Sequence, residues 1–449
     1  MLRPLALPSW LLVVAACSSG DASQSSDVVE GRDEHRVRAV GYLLRAGDEV
    51  PYCTATLVAP DAVVTAAHCV DQMHGREVVF GVGEVGAAVR RPVVGALPHP
   101  VWDPDHSAAG SGPRAWLHDV ALLRLDEPVS GVSPLPIGVA SEPGCGARGL
   151  GYGRTTAGGP TELEGYTGAR KSTAMCLDAI ATGMLYAHGI DGGLCWGDSG
   201  GPLLLGWPGA IVGVLHGFAG EGEPRCEKGN PVAYTSLDAE RDFVSCALAR
   251  KEAAPAVTPF DDVTCHFVEP FLVPLVSRTL VKPFPDGGFH PEASVTRREF
   301  ARLVVAVLAP KPRLPTKDFP DVIEGSTDAA SLELAYRAGF LAPSSDGKLL
   351  PAAPLERLDL VRGMVRGLTD VNGGGAALAS LLDVGGLTAA ERADVAAAVA
   401  SGLVVSYPDA RYLRPDEPAT RAELAATLVQ ALVLRGEVAP IPSSVVATP

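Results

Sequence analysis

The sequence predicts an all-β domain followed by a mainly α-helical module of repeats, and three observations carry that fold class. Between residues 28 and 250, short β-branched runs such as Ala62–Thr65, Val78–Val82 and Ile211–Leu215 alternate with Gly/Pro turns, and little before residue 235 has helical periodicity. Beyond residue 259 the chain resembles itself three times, with apolar helical runs. The Ala/Pro-containing stretch Lys251–Pro259 separates the two regions as a linker. A chain of 449 residues suits two to four domains at about 100–200 residues each. Its 47% hydrophobic and 20% charged residues exclude wholesale disorder.

The N-terminal residues 1–17 place Arg3 before an apolar stretch ending in small residues, the layout of a secretory signal peptide. Val14-Ala15-Ala16-Cys17 resembles a bacterial lipobox, which implies lipidation of Cys17; the alternative is an ordinary signal peptide cleaved nearby. The polar segment 18–27 has the composition of a tether or propeptide. No apolar run approaches the roughly 20 residues of a membrane-spanning helix. A formal net charge of −15 argues against a nucleic-acid partner, because phosphate neutralisation needs clustered Lys and Arg. Of the nine cysteines, all but Cys17 form an even set, and none has zinc spacing with a second Cys or a His. In an exported chain that set favours disulfides, with no metal and no cofactor expected.

Three motifs lie in order in the first region: Thr65-Ala66-Ala67-His68-Cys69, Asp119-Val120-Ala121-Leu122-Leu123-Arg124-Leu125, and Gly197-Asp198-Ser199-Gly200-Gly201-Pro202. Chemistry makes the set meaningful. A serine hydroxyl is a weak nucleophile until a base removes its proton. Histidine serves as that base near neutral pH, and a buried carboxylate fixes its tautomer. Glycines around the serine let backbone N–H groups reach a developing oxyanion.

Residues 28–250 thereby resemble a trypsin/chymotrypsin-type serine endopeptidase, which implies a double β-barrel and hydrolysis of protein or peptide substrates through an acyl-enzyme. The resemblance implies that His68 is general base and acid, that Asp119 orients it, that Ser199 is the nucleophile, and that Gly197 and Ser199 supply the oxyanion hole. Gly193 falls at the base of the specificity pocket, where no carboxylate stands, so Arg/Lys selectivity is not expected. His216, Gly217, Phe218 and Val232 fall on the pocket walls, favouring small or medium apolar side chains. His216 replaces a serine that supports the aspartate in the family, leaving open whether it tunes the triad, lines the cleft or packs. Val28-Val29-Glu30-Gly31 resembles the family's activation sequence, which implies cleavage before Val28 and pairing of its amine with Asp198; an uncleaved N-terminal strand is the alternative. The family implies bridges Cys53–Cys69 and Cys195–Cys226. Cys145 and Cys176 remain in the domain, with more than one pairing known in the family. Cys246 and Cys265 either staple the two regions together or leave Cys265 free and packed.

The repeats align on one block. Pro291, Pro351 and Pro415 each stand six positions before Arg297, Arg357 and Arg421. Phe260-Asp261-Asp262-Val263, Phe319-Pro320-Asp321-Val322 and Leu381-Leu382-Asp383-Val384 open the units. Each unit reads as helix, Asp/Gly/Pro-rich loop, helix, over residues 260–310, 317–369 and 380–436, with a tail at 437–449. Thr296 and Thr420 read as N-caps, completed by Glu299 and Glu423. The opening motifs, the Phe284-Pro285-Asp286-Gly287 and Tyr407-Pro408-Asp409 loops, and Thr-Arg-x-Glu at 296–299 and 420–423 resemble S-layer homology domains. That resemblance implies attachment to cell-wall polysaccharide or peptidoglycan, with Arg297 and Arg421 as polymer contacts and Arg357 a further candidate. The middle copy departs from the motif, reading Glu356-Arg357-Leu358-Asp359.

Together these readings describe an exported serine endopeptidase held at the cell envelope, with possible release of the lipid anchor on activation. The competing class is a non-catalytic envelope scaffold with a vestigial protease fold.

Overall fold

The computed structural model describes residues 31–102, 117–155, 165–181, 183–206, 209–219, 226–250, 258–369, 371 and 377–449. The leader 1–17 with Cys17, the segment 18–27, Val28 and most of the linker 251–259 lie outside the described residues.

The first barrel is built from β2 (Val40–Arg45), β3 (Cys53–Ala59), β4 (Ala62–Thr65), β5 (Val78–Val82), β6 (Val89–Pro98) and β7 (Ala121–Leu125). It closes in the order β2-β3-β4-β7-β6-β5. Leu43, Leu57, Val63, Phe80 and Leu123 fill it, all fully buried. Burying apolar side chains on the inward face is what fixes strand register, since a one-residue slip would expose them all. The second barrel uses β8 (Gly144–Gly151), β9 (Lys171–Ala181), β10 (Met184–Gly189), β11 (Pro202–Leu205), β12 (Ala210–Phe218) and β13 (Pro231–Ser236), closed by β8–β9 and β8–β11 pairing. A short β1 (Arg32–Asp33) adds to β9. Helix α1 (Ala67–Asp71) follows β4, and α2 (Arg241–Ala249) ends the region.

The C-terminal module holds three helix pairs: α3 (Glu269–Ser277) with α4 (Arg297–Leu308), α5 (Ala329–Ala338) with α6 (Arg357–Gly367), and α7 (Ala389–Ala400) with α8 (Arg421–Leu434). They share one apolar core containing Phe260, Phe271, Phe300, Phe340 and Leu428. The three units close into a ring. Arg297 Nε donates to Leu349 O at 2.8 Å, Arg357 Nε to Leu413 O at 2.6 Å, and Arg421 Nε to Phe289 O at 2.9 Å. The backbone N–H groups of the same arginines bond Ala353 O, Glu417 O and Ala293 O, again one unit to the next. Asp262, Asp321 and Asp383 each accept two backbone N–H bonds, at 289–290, 349–350 and 413–414. Capping boxes form at Thr296/Glu299 and Thr420/Glu423, and a further one at Thr388/Glu391 that the sequence reading missed.

Disulfides join Cys53–Cys69, Cys145–Cys176, Cys195–Cys226 and Cys246–Cys265. The last ties α2 to the first repeat.

Candidate active site

Strand pairing brings the first two motifs together. Thr65 on β4 is directly opposite Ala121 on β7. His68 follows Thr65 and Asp119 precedes Ala121, so both leave neighbouring strands at one end of the first barrel. His68 Nδ1 lies 2.6 Å from Asp119 Oδ2, and the His68 backbone N–H donates to Oδ1 at 2.9 Å. Thr235 Oγ1 holds the Asp119 carbonyl at 3.2 Å. With Nδ1–H donating to the carboxylate, Nε2 keeps the lone pair a base needs.

Ser199 comes from the loop before β11, and the second barrel laces that loop in place. Gly200 N–H donates to Leu215 O and Leu215 N–H to Gly201 O, both at 2.8 Å. Thr54 of the first barrel clamps the same loop: its N–H reaches Ser199 O at 2.8 Å, and its Oγ1 reaches Gly197 O at 2.9 Å. Gly197 and Gly200 have φ of 94° and 81°. A Cβ at Gly200 would collide with Thr65 and the Thr54 carbonyl, so this turn requires glycine.

His216 is the residue whose role the sequence left open. Its Nδ1 lies 2.6 Å from Asp119 Oδ2, the same oxygen that faces His68. The two imidazoles meet edge to face, with centroids 5.9 Å apart. Burial would raise the Asp119 pKa, but the charge and hydrogen bonds of His68 and His216 outweigh it and hold the carboxyl well below the usual range. Burial would depress His68, but the Asp119 charge and hydrogen bond, helped by Asp71, push it above its ordinary value.

Asp198 is buried beside this turn. Its carboxyl accepts from Gly153 N–H at 2.7 Å and Cys195 N–H at 2.8 Å. Burial pushes it up to about 7, against the pull of those two bonds. Its expected partner Val28 is outside the described residues.

The pocket residues divide. Gly193 lies against the backbone of Cys226 and Glu227 so closely that no side chain fits there. Gly217 faces open space. Phe218 stands across the ladder from Val232 and meets Trp196 edge-on at 5.8 Å. Val232 is buried in the second barrel's core, and so packs the wall from behind.

Three side-chain groups among the described residues bring possible metal-ligand atoms together. In Cys53/His68/Cys69 the sulfurs are already bonded to each other. In His68/Asp119/His216 both Nδ1 atoms face the carboxylate as donors. In His99/His118/Glu240, Val101 N–H donates to His99 Nδ1 at 3.1 Å, which puts the proton on Nε2 and removes the lone pair a metal would need. The first group is thus a disulfide next to His68, and the other two are hydrogen-bonded clusters.

The repeat arginines differ in exposure and in partners. Arg357 is 3% exposed and spends its donors on Leu413 O, Val405 O, Ser406 Oγ and Glu423. Arg297 is 8% exposed and engages Leu349 O, Ala342 O and Asp359. Both clamp one unit to the next, which leaves little for a polymer. Arg421 is half-buried and lies over Phe284 at 4.6 Å and Phe289 at 5.0 Å.

Comparison with known proteins agrees with this organisation. Residues 30–244 match the Trypsin family, and residues 259–301 and 382–425 match the S-layer homology domain. Human "Serine protease 56" is 34% identical over 215 residues, covering 43% of this chain; the chain spans only 34% of that relative's length. "Trypsin" of Saccharopolyspora erythraea is 29% identical over 210 residues, covering 44% of this chain and 87% of the relative. The solved human heparin binding protein is 22% identical, with a TM-score of 0.41, over 50% of this chain and 99% of its own. The fold of these residues, two six-stranded β-barrels followed by a helical module, is that of a trypsin-like domain followed by S-layer homology domains.

Proposed function

We propose that the protein is an exported serine endopeptidase held at the cell envelope by its C-terminal repeats. The observation that carries the reading is the His68 Nδ1–Asp119 Oδ2 contact of 2.6 Å, set beside a Ser199 turn that Thr54 clamps from the same barrel. His68 Nε2 takes the Ser199 hydroxyl proton as Oγ bonds to the peptide carbonyl carbon. The N–H groups of Gly197 and Ser199 receive the oxyanion. His68 then protonates the leaving amine, and water, activated by the same nitrogen, hydrolyses the acyl-enzyme. Phe218 narrows the pocket and Gly193 leaves it uncharged, which suits small or medium apolar side chains.

Activation follows from Asp198. Its ionised form in a dry site is disfavoured by roughly 4 kcal/mol once the shift to about 7 is converted at about 1.36 kcal/mol per unit. The sign is that of an acid whose folded pKa is raised: stability is full below the unfolded value and is lost as pH rises through about 7. A cation inserted beside it reverses that cost, and the amine of Val28, freed by cleavage after Asp27, is the proposed cation. In the proposed envelope arrangement, residues 1–17 direct export and Cys17 carries lipid. Residues 317–369 are read as a third S-layer homology unit, because they share the ring contacts of the other two. Arg421, with the exposed Phe284 ring beside it, is the proposed contact for wall polysaccharide.

A serine-directed phosphonate tests the enzyme. Labelling of the full chain after Val28 is exposed, abolished by Ser199→Ala, is the expected result; no Ser199-dependent labelling favours the scaffold alternative. Retention on matched cell-wall sacculi, weakened by Arg421→Ala, is expected of the repeats. The pH profile is a further check. His68 acts as a base only when neutral, and its pKa is raised, so kcat/KM should fall on acidification with a midpoint above about 6.5, the ordinary histidine value.

A further inference from the structure

The wall around Asp119 is completed by the C-terminal module. Tyr407, in the third repeat, inserts its hydroxyl among His99, His118 and Glu240 of the trypsin domain. The hydroxyl lies 2.7 Å from His99 Nε2, 3.0 Å from His118 Nδ1, and donates to Glu240 Oε2 at 2.9 Å. His118 Nδ1 also lies 2.9 Å from Glu240 Oε1. All four side chains are buried. The protons can be assigned: His99 carries its proton on Nε2 and donates to the tyrosine oxygen, while the Glu240 carboxylate accepts from Tyr407 and from His118. The Tyr407 ring stacks on His118, with centroids 4.8 Å apart and planes within 3°, and its neighbour Phe267 of the first repeat lies 4.5 Å away.

Both chain neighbours of Asp119 are held by this cluster. His118 precedes it, with φ of 66°, a left-handed conformation that is costly for a residue with a Cβ. Val120 follows it, and its carbonyl accepts from His99 N–H at 2.9 Å. We infer that Tyr407 is a positioning residue for Asp119, so that the third repeat forms part of the protease as well as its anchor. Pro408 packs on Gly183, Ser444 Oγ donates to Asp242 at 3.0 Å, and the Cys246–Cys265 bridge holds the same junction. The inference rests on the serine-protease reading, and its test separates the two.

The decisive variant is Tyr407→Phe in the full, activated chain. It keeps the stacked ring and removes only the hydroxyl, leaving Glu240 one donor short and His99 one acceptor short. Turnover of an Ala-p-nitroanilide peptide is measured per phosphonate-titrated site, so unfolded protein does not count. The expected result is a kcat about tenfold lower, the scale of one hydrogen bond to a charged group, with KM within about twofold. The acid limb should also move to lower pH, because His68 owes its raised pKa to Asp119. The groups facing His68 are Asp119, His216 and Asp71; those facing Tyr407 are His99, His118, His266, Glu240, Glu292 and Asp242. Ser444→Ala, which removes a hydrogen bond to Asp242 at the junction but keeps the Asp242 charge and every hydrogen bond of Tyr407, should leave kcat and the acid limb unchanged. Wild-type kcat and pH profile in Tyr407→Phe, with only a lower melting temperature, would overturn the inference and leave the protease reading intact. Absence of Ser199-dependent turnover in the wild type would overturn both.

Discussion

Replacing Asp119 by Asn is expected to lower kcat about 10⁴-fold, the scale known for this substitution in serine proteases of this type, without unfolding the first barrel. The reason lies in how the carboxylate is used here. Oδ1 accepts the His68 backbone N–H, while Oδ2 faces two imidazole Nδ1 atoms. A carboxamide has one oxygen and one NH₂, and neither orientation satisfies three donors. With the oxygen toward the imidazoles, the NH₂ opposes the His68 N–H. With the oxygen toward that N–H, the NH₂ confronts both rings, His68 turns its Nδ1 lone pair toward the amide, and its proton moves to Nε2. Nε2 then cannot take the Ser199 proton. The second orientation restores more hydrogen bonds, since both rings accept by changing tautomer, so it should dominate. The measurement is kcat against phosphonate-titrated sites, with thermal unfolding as the control. A loss below about tenfold would mean that Asp119 does not set the His68 tautomer.

Much of this site was readable from the chain. His68, Asp119 and Ser199 sit in motifs whose residue types already state the chemistry, whereas the β4–β7 pairing that brings His68 beside Asp119 is seen in the fold. His216 was identified as a departure, but whether it touches Asp119 depends on where β12 runs after the bulge at 215–217. The cluster around Tyr407 was not readable at all. Its members are separated by up to 308 residues and belong to two domains, and Tyr407 reads locally as the counterpart of Phe284 in a repeat loop. No local pattern distinguishes a loop aromatic that faces solvent from one that enters a neighbouring domain. His99 and His266 each accept a nearby backbone N–H, from Val101 and Val268, while their other ring nitrogens reach Tyr407 and Glu292 farther along the chain.

Arg297 and Arg357 carry the repeat motif yet lie buried between units, a placement the motif alone does not state, and the largest expected stability effect follows from it. Arg357→Met should destabilise the C-terminal module by about 3–5 kcal/mol, the usual loss when one member of a buried ion pair is removed. Glu423, 3% exposed, would keep Arg414 at 2.7 Å but lose the guanidinium that lies between it and the carbonyls of Val405 and Leu413. Burial pulls Arg357 down to about 10 against the Glu423 charge, which still leaves it charged at neutral pH. Methionine fills the volume but satisfies none of these acceptors, and each buried acceptor left without a donor adds its own cost. The double variant Arg357→Met/Glu423→Leu removes both charges and should recover part of the loss. If Arg357 were a polymer contact instead, the single variant would unfold normally and bind sacculi weakly. The ring geometry predicts the reverse order of events: unfolding at lower denaturant first, and loss of wall binding only as its consequence. Because Val405 and Ser406 lead directly into Tyr407, the same variant should also lower the proposed protease turnover, linking the ring of repeats to the cluster beside Asp119 through two residues of chain.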